Sequence, residues 1–118
     1  MQILIVEADA GLAGVWARHL ERRGCEVQRA TSQESAVAML QRWQVDVIVL
    51  DLTLEEGSAF AVADFASYRQ PEARVVFVTR SSFFSDGSIF NLVPNACGFF
   101  PAETPPEDLA AIVRHYAA

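Results

Sequence analysis

Four acidic or hydroxyl side chains stand just behind short apolar runs. Glu7 and Asp9 follow Gln2–Val6, Asp51 follows Val45–Leu50, and Thr79 follows Arg74–Val78 with Arg80 next in the chain. Carboxylates that converge without a compensating cation call for a divalent ion. Hard oxygen ligands favour Mg2+, with water and a transferred phosphate completing the octahedron. The plainer reading makes Asp51 a cap for its own loop and Thr79 a partner for backbone. Arg80 has two readings as well: a loop side chain facing solvent, or a guanidinium reaching back over Asp51 as a fixed cation with two donors.

Whether these groups meet depends on the elements that carry them. A short apolar run followed by a helical period recurs five times. Gln2–Val6 precedes a helix over Ala10–Arg23 that Gly24 closes as a C-terminal cap. Glu26–Ala30 is a polar, outer strand, and Thr31-Ser32-Gln33-Glu34 reads as a capping box with Thr31 as the cap. Val45–Leu50 is apolar enough for a strand covered on both faces. Gly57-Ser58 opens a helix to about Tyr68, with Phe60, Ala63 and Phe65 expected inside. Arg74–Val78, a short helix over Asp86–Leu92 and a strand at Gly98–Phe100 follow. The last helix has Thr104 as cap and a stripe of Leu109, Ile112, Val113 and Tyr116. Alternating strands and helices with short connections predict an α/β fold, a doubly wound five-stranded parallel sheet of the flavodoxin-like (βα)5 type. A barrel would need roughly twice the length. In such a sheet the ligand site lies at the carboxyl ends of the central strands, which is where Glu7, Asp51, Thr79 and Ala102 fall.

Composition narrows the chemistry. The 118 residues predict one domain, and 52% apolar residues exclude wholesale disorder. A net charge of −6 argues against a dedicated nucleic-acid binder. All nine basic residues are arginine, so Schiff-base chemistry and a phosphate-loop lysine are excluded. Cys25 and Cys97 lie far apart and read as two small buried thiols in a reducing compartment. His19 and His115 lack ligand spacing. The start MQILIV has no basic n-region, and the apolar runs are too short to span a bilayer, which predicts a cytoplasmic protein without membrane contact.

Four segments in order resemble the receiver domains of two-component response regulators, over essentially the whole chain. ILIVEAD resembles the strand-one motif, in which an acidic pair follows the strand. DVIVLDLTLEEG resembles the phosphoacceptor segment, RVVFVT the switch strand, and NACGFFPAETPPEDL the last motif. The resemblance implies phosphorylation on Asp51 and Mg2+ held by Glu7, Asp51 and the Thr53 carbonyl, with Asp9 as a further candidate ligand. It implies a switch through Thr79 and Phe99. It also implies a sensor histidine kinase or phosphotransfer protein as donor, and a downstream protein or second copy docking on the face of the fourth helix, fifth strand and last helix. No output domain is expected after Tyr116, so effects should travel by docking or dimerisation.

The departures fall on charge. Ala8 takes the place of the second acid, Ala102 that of the lysine, Glu103 that of the following proline, and Arg80 that of a small residue. Phosphoryl transfer spreads negative charge over equatorial oxygens, which metal and ammonium balance. Losing one preorganised donor from such a site costs about 3 kcal/mol. Unaided phosphorylation is therefore expected to be slow. The alternative is a pseudo-receiver that binds partners without phosphorylation. A small flavin-binding or aspartyl-phosphatase enzyme fits poorly: Glu7-Ala8-Asp9 has the wrong charge for a phosphate loop, and Thr53 stands where a second acid is needed.

Overall fold

Residue alternation decides which way each strand faces. The computed structural model describes residues 1–80, 93 and 95–117. The expected Asp86–Leu92 helix lies outside them. The strands are β1 (Gln2–Val6), β2 (Glu26–Ala30), β3 (Val47–Asp51), β4 (Arg74–Thr79) and β5 (Ala96–Pro101). The helices are α1 (Ala10–Arg22), α2 (Gln33–Arg42), α3 (Ala59–Arg69) and α4 (Pro106–Ala117). One parallel sheet has the order β2-β1-β3-β4-β5. Ile3, Ile5, Val47, Val49, Val76 and Val78 face a core closed by Trp16 and Leu20 of α1 and Leu109 and Val113 of α4. Leu4, Val6, Ile48, Leu50, Val75 and Phe77 face the opposite core, closed by Ala36 and Leu40 of α2 and Val62 and Ala66 of α3. The two-residue period of a pleated strand thus serves two cores at once.

Local chemistry sets the helix ends. Gly24 takes φ +85°. The Gly24 amide donates to the Glu21 carbonyl and the Cys25 amide to that of Leu20, a Schellman closure that hands the chain to β2. The cap of α2 is Ser32 rather than Thr31, with Ser35 rather than Glu34 as its reciprocal partner. A tertiary contact sets the shift. The Gln33 amide donates to the Glu56 carbonyl, and Gln33 Oε1 accepts from the Ser58 amide, fixing Gln33 as the first helical residue. α4 starts at Pro106, with the Pro105 carbonyl accepting from Leu109, so Thr104 stands outside the cap position. Phe60 is 37% exposed instead of buried. Ala59, Val62, Ala63 and Ala66 face the sheet, and these small side chains let α3 approach closely while Phe60 stacks at the rim on Phe77, centroids 6.4 Å apart. In α4, Leu109, Ala110 and Val113 are buried, while Ile112 and Tyr116 are half-buried. Cys25 is buried, but Cys97 is half-buried, and both are free thiols. Among the described residues no helix is long and apolar enough to cross a membrane.

Candidate functional site

β3 ends on a charge. Val47–Leu50 carries the strand through the middle of the sheet, and Asp51 is its last residue, with no solvent exposure. Its Oδ1 accepts from the Thr53 amide at 2.8 Å and from Thr53 Oγ1 at 2.6 Å. The amide bond makes an Asx turn, a pattern an Asp-x-Thr triplet can signal, although the second bond, from the hydroxyl, is not legible in the sequence. The local capping reading of Asp51 and the functional one are therefore both occupied, by different oxygens. Oδ1 holds the turn and Oδ2 is turned toward Arg80.

Glu7 follows β1 and is 1% exposed. Its Oε2 accepts from the Asp9 amide at 3.2 Å, and its Oε1 is buried without a hydrogen-bond partner. Burial pushes this carboxyl up to about 7, helped by the neighbouring Asp51 carboxylate, while the Asp9 amide and Arg80 pull the other way. Asp9 does different work: its exposed carboxylate accepts from the Leu12 amide and caps α1. Ala8 brings no ligand atom beyond its backbone.

β4 ends at Thr79, which is 5% exposed. Its carbonyl accepts from the Ala102 amide at 2.7 Å, tying the segment after β5 to the same end of the sheet. Ala102 is therefore placed beside the site with no amine to offer it. Arg80 reaches back: its Nη2 lies 3.3 Å from Asp51 Oδ2 and 3.8 Å from Glu7 Oε2. Phe99, paired in register with Phe77, is half-buried against the α2–α3 core, while Phe100 packs on the other face. Topology thus brings together Glu7, Asp51, Thr53, Thr79 and Arg80, and leaves Asp9 on its helix. Among the described residues no group of three or more His, Cys, Asp or Glu side chains could hold a metal ion.

The sequence model of the response regulator receiver domain matches residues 3–114. The chain belongs to this family. It is a receiver module of phosphorelay signal transduction. It is 32% identical over 77 residues to the photosynthetic apparatus regulatory protein RegA of Rhodobacter capsulatus. That match takes in 65% of the receiver and 42% of RegA, so the receiver spans less than half of this relative. In structure it is similar to a CheY-like receiver domain protein from Methanospirillum hungatei, with a TM-score of 0.87 at 22% identity over 98% of this chain and 92% of the other. TrrA of Thermotoga maritima, solved in complex with Mg(2+)-BeF, gives a TM-score of 0.82 at 21% identity over 98% and 97% of the two chains.

Receiver domains typically bind Mg2+ in the phosphorylation site. The donor set of this receiver fits such an ion poorly. Magnesium demands near-octahedral oxygen ligation and usually keeps several waters. Here Asp51 Oδ1 is engaged by Thr53, and the facing oxygens of Asp51 and Glu7 are engaged by Arg80. Glu7 Oε1 is the carboxylate oxygen left over in this pair.

Proposed function

We propose that Asp51 is the phosphoacceptor of this receiver and that Thr79 and Phe99 pass its state to the surface around β5 and α4. The carrying observation is the placement of a fully buried carboxylate at the end of the central strand, one oxygen held by Thr53 and the other beside a cation. Asp51 Oδ2 attacks the phosphorus of a phosphohistidine on a sensor kinase or phosphotransfer protein. The new O–P bond forms as the P–N bond breaks, and the electron pair leaves with the imidazole. Arg80 lies where negative charge builds on the transferring group. The setting is cytoplasmic, and the module signals by docking or dimerisation rather than by turning over a substrate.

Incubation with acetyl phosphate, followed by intact mass, tests this. The expected result is slow addition of one phosphoryl group to the folded protein and none to Asp51→Asn. No addition after prolonged incubation would overturn the assignment. One observation favours a second reading, a phosphorylation-independent binding module: the Arg80 ion pair already satisfies Asp51 without a phosphoryl group. In that case a captured partner would bind the protein and its Asp51→Asn variant equally.

A further inference from the structure

We infer that Arg80 is a tethered cation that stands in for the divalent ion, so that Arg80 and Mg2+ compete for the same two carboxylates. The inference concerns the pocket assigned above to phosphoryl transfer. Its test reads metal affinity, which stands whether or not Asp51 is phosphorylated.

Three observations converge. First, Arg80 Nη2 lies 3.3 Å from Asp51 Oδ2 and 3.8 Å from Glu7 Oε2, so one guanidinium faces both buried carboxyl groups. Second, the neighbours that could add negative charge do not. Position 8 is alanine, and the Asp9 carboxylate is committed to the Leu12 amide. Two carboxyl groups against one guanidinium leave at most a formal charge of −1, a weak attractant for a divalent ion compared with a cluster of three acids. Third, the other cation expected at this end of the sheet is missing, since Ala102 lies beside the Thr79 backbone and the chain has no lysine. Arg80 is thus the cation the described site has, delivered by the chain itself.

The physical difference from a metal is constitutive presence. A side chain two residues beyond Val78 needs no solution concentration to reach the site and keeps its charge at every physiological pH. Its fork carries five N–H donors, more than the two carboxylate contacts consume. Arg80 is 39% exposed in its side chain, so it covers the two buried carboxyl groups from the solvent side.

Mg2+ is titrated into the folded, full chain, and the amide resonances of Glu7, Asp51 and Thr53 report binding at this site. The protein is expected to bind Mg2+ weakly. Arg80→Ala and Arg80→Gln should each bind it at least about tenfold more tightly, because the repulsion between guanidinium and metal is gone. Arg80→Lys, which keeps the charge, should stay weak. The glutamine variant retains much of the aliphatic stem and guards against a folding defect in the alanine variant. Equal affinity in the protein and the uncharged variants would overturn the inference. So would an absence of binding in all of them, since Arg80 would then not be what keeps the ion out.

Discussion

The two ends of the sheet are built to opposite rules. At the amino end, neutral groups and one exposed acid satisfy one another. Gln70, just past α3, accepts from the Val45 amide through Oε1 and donates from Nε2 to the carbonyls of Leu40 and Trp43, all at 2.8 Å. Asp46 joins β1 to the lead-in of β3 by accepting from the Gln2 amide and donating its own to the Gln2 carbonyl. Asn95 Oδ1 lacks a partner there, but it is uncharged. At the carboxyl end, two carboxylates are buried side by side, one with an unpaired oxygen, and the compensating cation sits at the rim. Burying charge in this way costs stability that a neutral end would not lose. The amino end holds the fold, and the carboxyl end gives up stability to keep chemistry available.

Three changes would break or sharpen this contrast. Gln70→Ala should have the largest effect, because it leaves one amide and two carbonyls without their partner. A loss of about 3 kcal/mol is expected in urea unfolding. A loss below half of that would mean the amino end is not a clamp. Glu7→Gln should act through pH. The folded-state carboxyl titrates near 7 against an ordinary 4.5, so its contribution is fully present below about 4.5 and is lost as pH rises through 7. The protein should therefore lose up to about 3 kcal/mol through this group between pH 4.5 and 8. The neutral variant should show a flatter profile, and an unchanged profile would remove Glu7 as the source. Gly24→Ala should cost the least. A Cβ there meets nothing within 4 Å, so only the φ of +85° is strained. About 1 kcal/mol is expected, read as a fall in thermal midpoint with no change in Mg2+ response.

The carboxyl end of this contrast is legible in the sequence. The alternation of Ile3/Ile5 with Leu4/Val6, and of Val47/Val49 with Ile48/Leu50, requires strands covered on both faces, and short links between strands and helices require parallel order. Those patterns place Glu7, Asp51 and Thr79 at one end. Where the structure departs from the local signals, a contact distant in sequence is responsible. Glu56 and Ser58 moved the start of α2 by one residue. The sheet-facing set of α3 could be taken from small residues because β3 and β4 supplied the bulk, which left Phe60 at the rim. The three bonds of Gln70 span 25 to 30 positions and have no local signature.

The sequence by itself determined the fold class, the carboxylates at the strand ends, the absence of lysine and the losses at Ala8 and Ala102. These follow from residue identity and from periods of two and 3.6, which are local properties. The tertiary structure alone decided that Asp9 caps a helix, that Thr53 binds Asp51 twice, and that Arg80 folds back over both buried acids. The reason is physical. The choice of a long, charged side chain between water and a buried partner depends on where distant strands set that partner, and no spacing within the chain encodes that distance.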